Sequence, residues 1–423
     1  MGSKANRAMA AHFGFVYPTF DFLTTSMPIT PQILELIEYQ PAFLSPKELP
    51  APVATHLYHQ FDQQGGKLEV QFPSPRTNGR YRLTPQGWVG WIPASPDLHL
   101  SLLPKVSLKN LFRMWQTAYR LPGIFWQDDL VQVKSLREFY EGLAVILANM
   151  VLHRSRQGFH QAYLPQTEPL PFIRGRIMAL PRPPQTAVLC HHHIHTPDLP
   201  DNRILAYTLN QILRSRRCQE SAQTAVRRAY RSLQGLVSFA EFEAEDCNGR
   251  FYTRLNQDYQ PLHALCRFFL AHTGPSHQQG EHAIQPFLIN MATLFEQFVA
   301  EWLAQNLPSP WQLKAQERIH IGANRDLQLQ IDMVLYDEHV KPHTILDTKY
   351  KTPAKPSQAD ISQIVTYAKA KNCHEAILVY PQPLEIPLDI QLDDLHIHSL
   401  TFSLDSDLEM AGQQFLQNVL SNS

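Results

Sequence analysis

The stretch Leu329-Gln330-Ile331-Asp332-Met333-Val334-Leu335, followed shortly by Ile345-Leu346-Asp347-Thr348-Lys349-Tyr350-Lys351, sets two carboxylates and a lysine inside two apolar, strand-like segments. An ionised group in an apolar strand is costly unless it is paired or holds a metal. Strand side chains alternate faces, so Asp347 and Lys349 project from the same side. Residues 338–342 can reverse the chain, and the resulting hairpin brings Asp332 beside them. Paired carboxylates suit a hard cation, Mg²⁺ or Mn²⁺, which takes oxygen ligands. A lysine beside that cation suits orientation of an attacking water or stabilisation of charge on a phosphate. The expected chemistry is metal-dependent cleavage of a phosphodiester.

The flanking sequence adds two helices. Residues 287–305 read as one, with Leu288, Met291, Phe295, Phe298 and Trp302 on a broad apolar face and Glu296 at its flank, within reach of the metal's water shell. Residues 360–371 read as another, where Gln363 and Tyr367 are four apart and share a face. They can support the lysine strand or contact DNA phosphate. Strands are expected at about 312–321, 328–337, 343–351, 376–380 and 395–402, before a final amphipathic helix. Helix, three-stranded meander, helix, strand is the order of an α/β sandwich. An acidic-x-Lys triplet alone arises by chance in a chain of this length; the ordered set of five positions is the more specific signal.

Outward from this region the chain is mixed. The expected class is α/β, α+β over the whole chain. A mixed region of strands and helices spans 1–165, a strand-plus-helical region 166–283, and a nuclease domain with a central mixed sheet flanked by helices 284–423. The polar loop at 274–280 marks the last boundary. Paired strands are expected at 68–72 with 80–83 and at 87–92 with 98–102, and helices at 108–121, 135–156, 203–234 and 259–272. Residues 172–177 and 187–190 read as short strands. The 33 prolines outnumber the 17 glycines and punctuate these elements.

With 44% apolar and 18% charged residues the chain can bury real cores. Its formal net charge of -1 gives no bulk signal for nucleic acid, so DNA affinity must come from local patches. The five cysteines are scattered and odd in number, which fits a reducing cytoplasm. No signal peptide or bilayer-length apolar segment is visible. No GxxxxGK[ST] sequence is present, so any nucleotide-driven motor must be another protein. A GxSxG elbow is also absent.

The whole pattern resembles the PD-(D/E)xK nuclease superfamily. Within it, Phe295-Glu296-Gln297-Phe298-Val299, Asp347-Thr348-Lys349-Tyr350-Lys351 and the helix from Asp360 to Ala368 look like the McrC family, the nuclease subunit of McrBC modified-cytosine restriction systems. The segments 98–106, Phe172-Ile173-Arg174-Gly175-Arg176 and Asp201-Asn202-Arg203-Ile204-Leu205 agree, so the likeness runs from about 85 to 385. It implies Asp332 and Asp347 as metal ligands, Lys349 as the catalytic lysine, and Glu296 and Gln363 as accessory positions. Two departures stand out: Ile331 replaces the usual proline, and the triplet is Asp-Thr-Lys rather than Glu-x-Lys. The resemblance also implies a partner, a ring of AAA+ GTPase subunits (McrB-like) that recognises methylated DNA and translocates it, and on which the N-terminal region, 1–165, docks. The same site also suits a stand-alone or repair nuclease. A further alternative is a regulatory subunit that stimulates a partner GTPase.

Other features have plainer readings. Arg203, Arg214, Arg216, Arg217, Arg227, Arg228 and Arg231 make one helical stretch basic. Phosphate contact through Arg203, Arg214 and Arg217, with Lys351, competes there with a solvated face or an acidic partner surface. Arg174, Arg176 or Arg203 can instead pair with Asp201. The run His191-His192-His193-Ile194-His195 reads as a strand end, because neighbouring histidines point to opposite faces and zinc sites draw on separated pairs. Trp88, Trp91, Trp115 and Trp126 read as core or interface.

Overall fold

A computed structural model describes residues 32–95, 97–120, 135–179, 186–215, 217–272, 286–321, 327–351 and 353–421. The expected boundary loop at 274–280 and Trp126 lie outside them.

The first strands are β1 (Gln32–Ile37), β2 (Ala42–Leu44), β3 (Leu68–Gln71), β4 (Tyr81–Pro85), β5 (Trp88–Ser95) and β6 (Leu98–Leu103), with helix α1 (Ala51–Leu57) after β2. β2, β4 and β3 form a small antiparallel sheet. Helices α2 (Leu108–Ala118) and α3 (Leu136–Gln157) follow, each N-capped by a serine, Ser107 and Ser135. Next come β7 (Ala162–Leu170), β8 (Arg176–Ala179) and β9 (Val188–Thr196) in the order β7-β9-β8. Pro165 and Pro169 hid β7 in the sequence. It is an edge strand, where the missing N–H groups are tolerated.

The expected helix over 203–234 is two helices, α4 (Pro200–Arg214) and α5 (Glu220–Leu233). Helix α6 (Tyr259–His272) packs against α3 and α4. The run Asp201-Asn202-Arg203 lies in the first turn of α4 and has a structural role. Buried Asn202 donates to the His160 and Pro197 carbonyls. Asp201 takes Arg250 and His160 as partners, not Arg174, Arg176 or Arg203; Arg203 instead pairs with Asp198 at 2.7 and 2.9 Å.

A second correction concerns the helix expected over 287–305. Its first residues form a strand, β10 (Phe287–Asn290), and only then does α7 (Met291–Asn306) begin, capped by Asn290. β10 closes the sheet β1-β6-β5-β10 by pairing antiparallel with β5. Leu288 is therefore buried in that sheet, not on the helix face. The pairing depends on Gly90, whose φ is +143° and where a Cβ would overlap the Phe287 carbonyl.

The remaining elements are β11 (Gln312–Ile321), β12 (Leu327–Tyr336), β13 (Pro342–Thr348), α8 (Gln358–Lys371), β14 (Glu375–Tyr380), β15 (Asp389–Leu392), β16 (Leu395–Thr401) and α9 (Leu408–Ser421). They build a mixed six-stranded sheet in the order β11-β12-β13-β14-β16-β15. β11 to β13 run antiparallel, while β13, β14 and β16 run parallel. All six residues of β14 are buried, as a central strand covered on both faces requires. Helix α8 packs on β13 and β14, over a core that includes Ile345, Leu378 and Ile364. Helices α7 and α9 cover the other face, where Phe298, Trp302, Phe402 and Phe415 meet.

That second core is continuous with the helices α2 to α6, so the sheet carrying the two acidic strands is fastened to the rest of the chain. Polar ties reinforce it. Asn110 of α2 donates to the Leu404 and Ser406 carbonyls, and Tyr350 donates to Glu38 at 3.1 Å. All five cysteines are buried and free. Trp115 stacks with Phe112 and Phe139 in the interior, in keeping with a core role. Among the described residues no helix is long and apolar enough to cross a membrane.

Gly90→Ala is expected to destabilise the protein by about 2 kcal/mol or more, combining an unfavourable φ with overpacking. An unchanged thermal midpoint in Gly90→Ala would show that β10 does not need this close approach.

Candidate active site

β12 and β13 place the acidic residues as a matter of register. Their last registered pair is Met333 with Leu346, and Asp332 and Asp347 each lie one residue beyond it. Asp347 is fully buried, while Asp332 is partly exposed. The Thr348 backbone N–H and hydroxyl both donate to Asp332 Oδ2, at 3.0 and 3.1 Å. Thr348 was not singled out in the sequence. Its triplet position suggests a spacer, yet its backbone and hydroxyl fix the first carboxylate.

Lys349 lies one residue past the end of β13, held by its N–H to the Val379 carbonyl at 2.8 Å. Its Nζ sits 2.5 Å from Asp347 Oδ2 and donates to Gln363 Oε1 at 3.0 Å. The Gln363 amide in turn donates to the Tyr367 hydroxyl at 2.8 Å. The expected sharing of a face by Gln363 and Tyr367 is thus realised as a chain of bonds that ends on the lysine. The end of β13 and the later helix α8 converge on one ammonium.

Glu296 completes the group from α7. Burial pushes its carboxyl up to about 8, with the charges of Asp332 and Asp347 adding to the effect and Lys349 opposing it. Asp347 is raised to about 6 by burial and then by Asp332, again against Lys349. Burial alone would lower the Lys349 ammonium, but Asp347, Asp332 and Asp360 outweigh it and raise its pKa. Three carboxylates and one lysine leave an excess of negative charge in a partly desolvated place. Glu296 Oε1 is buried with no hydrogen-bond partner among the described residues, and the Asp347 oxygens have none beyond the lysine ion pair. These crowded carboxyl oxygens, with only one cation beside them, fit a divalent cation held by Asp332, Asp347 and Glu296.

The expected DNA contacts divide. Arg217 is buried, donates to the Pro286 carbonyl and lies over the rings of Tyr140 and Phe287, so it is a structural cation beyond the reach of DNA. Arg203 is committed to Asp198, and Lys351 to Asp360 at 2.6 Å. Arg214 is exposed, as are Arg227, Arg228 and Arg231. None of the arginines of α4 and α5 belongs to the carboxylate cluster. The histidine run lies on β9, where His192 is buried and His193 and His195 are exposed, on alternate faces as expected.

Comparison with known proteins agrees with this architecture. The curated type IV methyl-directed restriction enzyme EcoKMcrBC of Escherichia coli K12 is 24% identical over 221 residues, covering 49% of this chain and 61% of that protein. The chain thus spans about three fifths of the length of that relative. A solved half-complex from a tetradecameric assembly of Thermococcus gammatolerans McrB AAA+ hexamers with bound McrC contains a chain that superposes with a TM-score of 0.54. The two are 17% identical over 92% of this chain and 100% of that one, a likeness of fold. The family model described as McrBC 5-methylcytosine restriction system component matches residues 83–381, which takes in Glu296, Asp332, Asp347, Lys349, Gln363 and Tyr367. With most of its length inside that match, the chain belongs to the McrBC restriction system component family.

Proposed function

We propose that this chain is the Mg²⁺-dependent DNA endonuclease subunit of a modification-dependent restriction system, acting in the cytoplasm with a McrB-like AAA+ GTPase. The observation that carries this reading is the convergence of Asp332, Asp347 and Glu296 on one partly buried place, with carboxylate oxygens lacking donors and Lys349 alongside. The partner is inferred from the assembly in which the McrC chain of similar fold was solved. A separate motor also accounts for a nuclease chain that carries no nucleotide-binding loop.

Asp332 is oriented by Thr348 and presents its second oxygen to the site. Asp347 and Glu296 supply the other oxygen donors. Mg²⁺ or Mn²⁺ bound by these groups supplies Lewis-acid activation of water and neutralises charge on the scissile phosphate. Lys349 is placed to hold the attacking water and to stabilise the charge that grows on the phosphate oxygens. Gln363 acts as a positioning residue: its Oε1 accepts a hydrogen bond from the ammonium and so fixes the direction of the other N–H groups. Tyr367 holds Gln363 in that rotamer. Arg214 remains a candidate for backbone phosphate contact on the exposed face of the basic helices.

Asp347→Ala and Lys349→Ala should each cut DNA cleavage by about 10²-fold or more while leaving co-elution with the GTPase intact. Full cleavage by either purified variant would remove the catalytic assignment, and efficient cutting by the chain alone without GTP would favour a stand-alone nuclease. Gln363→Ala should lower kcat by roughly 10-fold and shift the alkaline limb of the pH–rate profile. A structural role alone would leave that limb in place.

The raised carboxylates also set a pH dependence. Between the ordinary carboxylate range and about 8, the folded chain holds more protons at Glu296 and Asp347 than the unfolded chain does. Stability without metal therefore falls as pH rises through that window. Mg²⁺ competes with those protons, so the rise in thermal midpoint on adding Mg²⁺ should be larger at pH 8 than at pH 6, and Glu296→Gln should flatten the difference. A Mg²⁺ effect independent of pH in the parent protein would contradict the assigned ligands.

A further inference from the structure

The far edge of the large sheet carries a second cluster of ligand-capable side chains. Glu375 on β14 is in register with His396 on β16, and His398 lies two residues further along the same face. One potential ligand atom from each of the three lies within 4.8 Å of the others. Glu375 and His398 are each only 4% exposed, while His396 opens toward solvent. Both ring nitrogens of His398 are buried without a hydrogen-bond partner among the described residues. A buried imidazole in that condition is unfavourable unless something takes up a nitrogen.

The surroundings resemble the outer shell of a metal centre. The His396 ring stacks on His398 with centroids 4.7 Å apart, and a ring nitrogen of His396, Nε2, is bonded to Asp389 Oδ1 at 2.8 Å. A carboxylate on one imidazole nitrogen fixes the ring and leaves the other nitrogen for a metal. The Glu375 carboxylate is oriented in the same way, because Thr344 donates to its Oε2 at 2.6 Å.

We propose that Glu375, His396 and His398 form a transition-metal site, with Zn²⁺ as the best-fitting ion and Asp389 as its outer carboxylate. Two imidazoles and one carboxylate suit Zn²⁺ better than Mg²⁺, and three protein ligands leave a position for water. The site is separate from the acidic cluster. Asp347 is in register with Leu378, three residues beyond Glu375 on β14, which is about 10 Å along the strand and on the opposite face. A metal here would join β14 to the β15–β16 hairpin, the outermost part of the sheet. Its role is that of a staple on the nuclease sheet.

The test uses the full-length chain carrying Asp332→Asn and Asp347→Asn, so that uptake at the acidic cluster does not contribute. After chelation and dialysis against Zn²⁺, this protein should retain one equivalent of Zn²⁺ by elemental analysis. Co²⁺ in its place should give the visible bands of a tetrahedral or five-coordinate ion. His396→Gln and His398→Gln should lose the equivalent and the bands, and Asp389→Ala should weaken Zn²⁺ binding by about 10–100-fold. Because His398 is buried and its replacement risks misfolding, the open His396 and the exposed Asp389 keep the test decisive, with circular dichroism checking each fold. No stoichiometric uptake by the folded parent, or uptake unchanged in both His396→Gln and Asp389→Ala, overturns the proposal.

Discussion

The constraint on which this structure turns is the burial of Asp347 at the end of a central strand. Its charge is too costly to leave alone in that position, and one neighbouring ammonium, Lys349, only partly compensates for three converging carboxylates. The chain accepts an electrostatically unfavourable arrangement at the end of a central strand of its six-stranded sheet. Residues around it are committed to holding it open: Thr348 on Asp332, Gln363 on Lys349 and Tyr367 on Gln363. Such local strain against an otherwise consistent core supports the proposed cation-binding role of these residues.

Positioning depends on parts of the chain far from the hairpin. Glu296 reaches the site because α7 is launched from β10, and β10 is seated in a sheet built from residues near the start of the described chain. Tyr350, next to Lys349, is anchored by Glu38 of that same region, and burial raises both groups' pKa values, consistent with a shared proton-bearing contact in the interior. The core running from α2 to α9 makes these ties rigid. The site is therefore assembled by a sheet and a helix from one region and a strand pair from another, and disturbing either should be felt at the carboxylates.

Much of the architecture was legible from local pattern. The strands at 88–95 and 98–103, the helix at 136–157 and, apart from β15, the order of elements after Gln312 follow from alternation and from three- and four-residue spacing, which report which face meets the core. The failures have physical causes. β7 was masked by prolines that only an edge position tolerates, and β10 was absorbed into the following helix because its three apolar residues, Phe287 to Ile289, fit either period. Arg217 read as a phosphate contact because charge is visible in a sequence and burial is not. The cluster of Glu375, His396 and His398 drew no attention because its members come from two strands twenty residues apart, joined only by parallel pairing.

By itself the sequence determined the kind of chemistry: carboxylates and a lysine in apolar strands, with a glutamate helix before them and a glutamine–tyrosine helix after. Residue type and period carry that information because unpaired charge is costly in a strand wherever the strand sits. Only the tertiary structure decided how the charges are shared. It sets Lys349 against Asp347 rather than Asp332, gives Asp332 to Thr348, and leaves Glu296 Oε1 without a donor among the described residues. Those outcomes depend on register, burial and helix placement, which are properties of the packed chain and not of any one segment.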